Sequence, residues 1–343
     1  MPKNSDQSQV FWPFVPLGEI LKAWHLELLR DPKTKSELTL EIVSADGDEI
    51  LEGFLRSETS QYRITNGIPR FVENEGYSAN FGWQWKKWAK VQYESENVGR
   101  PMEGWTDNMF FKATQFGRAS LEGKLILDIG CGGGRFGDRV IANGGKLVAL
   151  DYSEAVDVAR DYLFDLAPDT LFVQGDALNL PLADGVFDDA YSIGVLHHTP
   201  DPSQGVAEAH RILKPGGTFA LSVYPKGGYY GWPNVTLWRT IFNAIPEKIR
   251  FKAALRYSEI LCTTLQPIAN FWRPLTYPIR AFLPTVYLAD LRWSILDTFD
   301  SLTTSFQSTH TFPEARLWFT NSGYSSVIEG PWGCNPIGGK TGL

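Results

Sequence analysis

Between Leu125 and Val140 the chain reads LILDIGCGGGRFGDRV. An apolar run ends in an acid, Asp128, and passes into a turn that holds Gly130, Gly132, Gly133 and Gly134. Glycine adopts φ > 0 without steric cost and lets another molecule approach bare backbone. A strand, a glycine turn and a helix in that order constrain the fold more than any other feature of the sequence. They predict a ligand held against the turn at the carboxyl edge of a sheet.

The same rhythm continues downstream. KLILDIG, KLVALDY, LFVQGDA, DDAYSIG and TFALSVY read as strands, with RFGDRVIANG, SEAVDVARDYLFDL and DPSQGVAEAHRILKPGG between them. The last of these opens on Pro202 and stops at Pro215-Gly216-Gly217, as helices do. Alternation of this kind predicts an α/β fold with a doubly wound parallel sheet over residues 121–225. The loop itself admits two readings. Gly132-x-Gly134-x-x-Gly137 with Asp151 at the end of the next strand matches a dinucleotide fingerprint. Asp128-x-Gly130-x-Gly132-x-Gly134 matches a loop that binds adenosylmethionine.

The neighbouring motifs decide between them. LDIGCGGGRF, LVALDYS, VQGDALNLPLADGVFDDAYSIGVLHHTPDP and LKPGG follow in order, and with them the chain resembles the class I S-adenosylmethionine-dependent methyltransferases of the type 11 kind. The resemblance implies a Rossmann-like, mostly parallel seven-stranded sheet, S-adenosylmethionine as cofactor and in-line displacement of its methyl group. Residue by residue, it implies that Asp128 and the backbone of Gly130, Cys131, Gly132 and Gly134 cradle the methionine part. Asp151 then takes the ribose hydroxyls, with Ser153 beside it, Tyr152 lines the adenine, and Asp176 and Ala177 meet the ring. Gly194 and Val195, with Leu196, form the floor under the sulfonium. Cys131 reads as a small buried filler. His197 and His198 lie just after the fourth strand, where an imidazole can serve as base or shape the loop.

The flanks carry further expectations. Residues 1–75 read as a small β-rich domain with turn pairs Asp46-Gly47 and Asn66-Gly67. LLRDPKTKSELTLE and YRITNGIPRFV resemble the Trm112-like family, but Asp31-Pro32-Lys33-Thr34 stands where members carry a CPxC pair, so no metal is expected. Residues 76–120 read as an aromatic helical cap with Trp83, Trp85 and Trp88 on or near one face. Residues 226–306 read as a helical insert that covers the acceptor, opening on GGYYGW with Tyr229 and Tyr230. Residues 307–343 complete the core. In the stretch that leads into this tail, Asp297, Asp300, Gln307 and His310 are polar groups that can face the acceptor, and Thr311 with Glu314 forms a capping box.

Composition narrows the function. A formal charge of −7 argues against nucleic acid as partner. Three separated cysteines without a CxxC pair fit a cytoplasmic setting and exclude a disulfide framework. The start MPKNSDQSQV lacks the apolar stretch of a signal peptide, and no run is long enough to span a bilayer. The favoured reading is methyl transfer to a small molecule such as a metabolite, sugar or short acid, with a homodimer left open. Transfer to tRNA or protein, a non-catalytic binding protein and a membrane-peripheral enzyme are the alternatives. Prolines that interrupt any long amphipathic helix in the insert count against the last.

Overall fold

The structure is a computed structural model that describes residues 23–46, 49–72 and 79–342. The amino-terminal decapeptide, Gly47 of the first turn pair and the start of the aromatic cap lie outside the described residues. The central strands are β5 (Leu125–Ile129), β6 (Lys146–Asp151), β7 (Leu171–Gln174), β8 (Phe187–Ile193) and β9 (Leu213–Ser222). They are near-continuous apolar runs, buried on both faces, as parallel strands covered by helices must be. Helices α4 (Gly137–Ile141), α5 (Ala155–Leu163) and α6 (Pro202–Ile212) connect them. Helix α6 shows why it starts where it does. Asp201 accepts hydrogen bonds from the backbone N–H groups of Ser203 and Gln204, and Pro202 fills the first turn.

All pairings among β5 to β9 are parallel, and β11 (Pro336–Lys340) returns antiparallel between β9 and β10 (Tyr324–Glu329). The order β7-β6-β5-β8-β9-β11-β10 is the expected seven-stranded core. The chain runs outward in both directions from β5, so a crevice opens at the carboxyl ends of β5 and β8. Helix α11 (Phe312–Asn321) is capped by Thr311 and Glu314 in the reciprocal arrangement the sequence predicts.

Three features add to or depart from the sequence reading. First, the β-rich unit shares the central sheet. Strands β1 (Thr39–Asp46), β2 (Glu49–Arg56), β3 (Gln61–Thr65) and β4 (Ile68–Arg70) form a meander whose last strand pairs with β7 at Arg70 and Gln174. The Phe71 N–H donates to the Gln174 carbonyl at 2.8 Å, and Arg70 reaches Asp157 and Gln174. One sheet of eleven strands results, and β7 is not left as an open edge. Second, Pro215-Gly216-Gly217 lies inside β9 rather than after a helix, at a register shift against β8. Third, α8 (Glu247–Trp272) runs unbroken through Pro267, so proline does not segment it.

Ahead of the meander, Asp31 forms a hydrogen-bonded knot with it. The Asp31 carboxylate, fully buried, accepts from the N–H of Lys33 at 2.8 Å, the Tyr62 hydroxyl at 3.0 Å and the Ser57 hydroxyl at 2.5 Å. Burial alone would raise its pKa, but the donations from Ser57, Lys33 and Tyr62 win and lower it. Among the described residues no cluster of His, Cys, Asp and Glu is placed to hold a metal ion.

The insert packs α7 (Pro233–Asn243), α8 and α10 (Leu291–Thr303) around Phe242, Phe251 and Phe299. Helix α2 (Ala79–Lys87) seals this layer onto the core. Trp83 stacks on Phe299 with ring centroids 5.0 Å apart and Trp88 meets Phe299 edge-on, so both serve inter-domain packing. Phe299 is fully buried, and an alanine there would cost about 3–5 kcal/mol.

Candidate active site

The glycine turn leaves β5 and folds onto β6. The N–H groups of Gly130 and Cys131 both donate to the Leu150 carbonyl, at 2.7 and 2.9 Å. Gly130 has φ +82°, and a Cβ there would lie 2.3 Å from Val195 Cγ1. Gly132 has φ +53°, and a Cβ there would lie 2.8 Å from the Trp85 ring nitrogen. The loop is thus pressed between the turn after β8 and the indole of α2, which no side chain would permit. The Tyr93 hydroxyl donates to the Gly133 carbonyl and fixes the loop from the same side. Gly134, with φ +90°, lies deeper, against Leu163 and Ala159.

A cavity of about 670 Å³ opens above this loop. Gly130, Cys131, Gly132, Asp151, Tyr152, Ala177, Gly194 and Val195 all line it. The Asp151 carboxylate accepts from the Gly132 N–H at 2.8 Å and from the Ser153 N–H and hydroxyl at 2.8 and 2.7 Å. The Tyr152 N–H also engages it, so the chain itself holds this carboxylate in place from several sides. Ser153 holds Asp151, accepts from the Ala155 N–H at the start of α5, and does not line the cavity. Asp128 lies beneath the wall, buried, with Oδ2 lacking a hydrogen-bond partner; burial pushes its pKa up to about 8. Asp176 turns one oxygen to the Leu178 N–H at 2.8 Å, while its neighbours Gly175 and Ala177 line the cavity.

Polar groups from the insert also line the cavity. Asp297 and Asp300 reach it from one face of α10, and Arg135, Tyr224, Tyr229 and Tyr230 complete it. Burial pushes the Asp297 carboxyl up to about 6 against the pull of Arg135. Burial and the Asp297 charge push Asp300 up to about 7, opposed by Tyr224 and Arg239. The Tyr224 hydroxyl lies 3.4 Å from Asp300 Oδ2, and Oδ1 has no hydrogen-bond partner. Burial lowers the Arg135 pKa to about 10. Its guanidinium donates to Gln92 Oε1 at 2.5 Å and lies over Phe136. Tyr230 stacks flat on Tyr224 at 3.9 Å.

The three candidate histidines separate. His198 lines the cavity; its Nδ1 faces the Phe306 carbonyl at 3.0 Å, and burial pulls its pKa down to about 4. A carbonyl only accepts, so Nδ1 carries the proton and Nε2 keeps its lone pair. His197 is fully buried behind Tyr224, with ring centroids 3.7 Å apart, and neither nitrogen makes a hydrogen bond. His310 bonds the Ser308 hydroxyl at 2.8 Å and packs on Trp318, away from the cavity wall. Gln307 donates to the Tyr230 carbonyl and does not line the cavity either. Sequence reasoning misses Arg135 and Tyr224. The available signals were an arginine directly after the glycine turn and a tyrosine directly after the fifth strand.

Residues 127–221 match the family model for a methyltransferase domain. A ubiquinone biosynthesis O-methyltransferase of Pseudomonas aeruginosa is 35% identical over 108 residues, which cover 31% of this chain and 46% of that protein. A solved arsenic(III) S-adenosylmethionine methyltransferase from Chlamydomonas reinhardtii is 29% identical, covering 32% of this chain and 42% of that one, with a TM-score of 0.28. A chain from a complex between the Haloferax volcanii Trm112 methyltransferase activator and a methyltransferase is 19% identical, covering 73% of this chain and 78% of that one, with a TM-score of 0.40. The chain spans between 32% and 57% of the length of the curated relatives it matches. Its centre is a class I methyltransferase domain, of the kind that depends on S-adenosylmethionine. The glycine cradle, too tight for any Cβ, and the carboxylate of Asp151 fit that cofactor.

Proposed function

We propose that the protein moves a methyl group from S-adenosylmethionine to a small-molecule acceptor in the cytoplasm. The observation that carries this reading is one cavity lined by both the glycine loop and the acids Asp297 and Asp300. Its volume is that of small-molecule sites, which span about 300–1,000 Å³, and aromatic rings line much of it. The likeness to an O-methyltransferase favours a hydroxyl as the accepting group.

The cofactor supplies an electrophilic methyl on a sulfonium when bound. In this reading the loop at Gly130, Cys131 and Gly132 holds its amino-acid end, and Asp128 supports that loop from beneath. Asp151 on the cavity wall faces the ribose, and Asp176 stands behind Gly175 and Ala177 at the adenine, beside Tyr152. Gly194 and Val195 support the reacting centre, and Trp85 excludes water from above. Asp300 takes the acceptor's proton on Oδ1; a carboxyl poised at about 7 suits a base at neutral pH. His198, neutral at that pH, accepts a hydrogen bond through Nε2 and orients the acceptor. His197 shapes the loop from behind, and His310 has no part in the cavity.

We read residues 1–75 as a Trm112-like unit, fused in cis, in which the Asp31 knot replaces zinc. The hydrogen bonds of Ser57 and Tyr62 to Asp31 support this. The test of the function is purified protein incubated with methyl-labelled S-adenosylmethionine and a cell extract. Label entering the small-molecule fraction is the expected result. Label confined to protein or RNA would overturn the acceptor class.

A further inference from the structure

The far tip of the insert breaks the usual rule that large apolar side chains are gathered inward. The end of α8, the turn Arg273–Thr276 and helix α9 (Tyr277–Phe282) expose Ile268, Phe271, Trp272, Leu275, Tyr277 and Phe282. Phe271 is 86% and Phe282 77% exposed. Contiguous apolar surface of this kind marks an interaction site.

The tip is built rather than loose. Trp238 donates to the Phe282 carbonyl at 2.7 Å and Asn234 to the Arg280 carbonyl at 3.0 Å, which ties the backbone of α9 to α7. Arg280 donates to the Thr285 carbonyl, and Thr276 is buried beneath the turn. The rings point outward from a fixed frame.

The charge of the same stretch is the second observation. The chain carries −7 overall, yet no Asp or Glu occurs between Glu259 and Asp290, and Arg273 and Arg280 do. Trp and Tyr beside Arg, with apolar rings and no acid, is the composition favoured at a membrane–water interface. Anionic lipid attracts such cations. A second copy related by a two-fold axis would present the same cations to itself.

We propose that this tip docks the protein on an anionic phospholipid surface, with Phe271, Trp272 and Phe282 in the interfacial layer and Arg273 at the headgroups. The docked surface adjoins the acceptor side, because Asn234 and Trp238 tie α9 to α7, and α7 begins at Pro233 shortly after Tyr229 and Tyr230 of the cavity wall. No helix among the described residues is long and apolar enough to cross a membrane, so the attachment is peripheral.

The experiment is co-sedimentation of the full chain with sucrose-loaded vesicles, of phosphatidylcholine alone or with roughly one-third phosphatidylglycerol. The expected result is binding to the mixed vesicles that weakens with salt. The variant Phe271→Ser, Trp272→Ser, Phe282→Ser should lose at least about tenfold in partitioning. All three side chains are largely exposed, so the variant should keep the wild-type unfolding transition and its affinity for S-adenosylmethionine. Absence of binding to the mixed vesicles, or undiminished binding by the triple variant, overturns the docking. Equal binding to both vesicles overturns the anionic half of the assignment. A dimer in solution that the triple variant abolishes, without vesicle binding, assigns the tip to a second copy instead.

Discussion

Replacing Asp300 by asparagine should make the protein more stable at alkaline pH and stop it working. The carboxyl is 9% exposed and has Asp297 as a like-charged neighbour. Burial first, and Asp297 second, raise its pKa from 3.8 to about 7. The difference, 7 − 3.8 = 3.2, corresponds at about 1.36 kcal/mol per unit to at most about 4 kcal/mol. Its sign follows from which state holds the proton. The unfolded chain releases it near 3.8 while the folded protein keeps it until about 7, so stability falls as pH climbs through that window. Asparagine does not titrate and loses nothing. Between about pH 5 and pH 8 the wild type should therefore lose up to about 2.7 kcal/mol that the variant retains. Urea unfolding of both proteins at the two pH values measures this. A stability difference that does not change with pH, or a variant weaker than wild type at pH 8, would refute the assignment of a strained, ionisable Asp300. The same variant should transfer methyl groups about 10²–10⁴-fold more slowly, since the acceptor's proton has nowhere to go. A residue whose replacement stabilises the fold and abolishes turnover marks a functional site.

Two further variants address the donor end. Asp151→Ala should weaken S-adenosylmethionine binding by about 2–4 kcal/mol, because it removes charge-assisted acceptors from the ligand and from the Gly132 N–H; calorimetry with an unchanged affinity would mean the ribose is held elsewhere. Gly130→Ala forces a Cβ to 2.3 Å from Val195 at φ +82°, so it should lower stability by at least about 1 kcal/mol and disturb the loop. A variant that unfolds and binds like wild type would show that the loop adapts.

What the sequence made legible was local. Gly130, Gly132, Asp151, Tyr152, Ala177, Gly194 and Val195 belong to short motifs at strand ends, and the parallel topology carries all of them to one crevice. The Thr311 cap was legible for the same reason, since its partner Glu314 is three residues away. Long-range packing was not. Whether His197 or His198 faces the cavity depends on Tyr224, which fills the space between His197 and the cavity and is assigned by no motif. Arg135 lowers the pKa of the Asp297 carboxyl from across the fold, an influence with no trace in sequence spacing. The fusion of the meander to β7 rests on one short parallel pairing at Arg70, which hydrophobic periodicity does not encode. Proline read as a helix breaker failed at Pro267, where the helix continues within a packed layer that supplies the stability lost with one hydrogen bond.

The most direct measurement is calorimetric titration of the purified chain with S-adenosylmethionine, S-adenosylhomocysteine and NAD in parallel. Saturable binding of the first two at one site per chain, with no heat from NAD, is the expected result. Binding of NAD with silence toward both adenosyl compounds would contradict the assignment of the glycine loop and everything built on it.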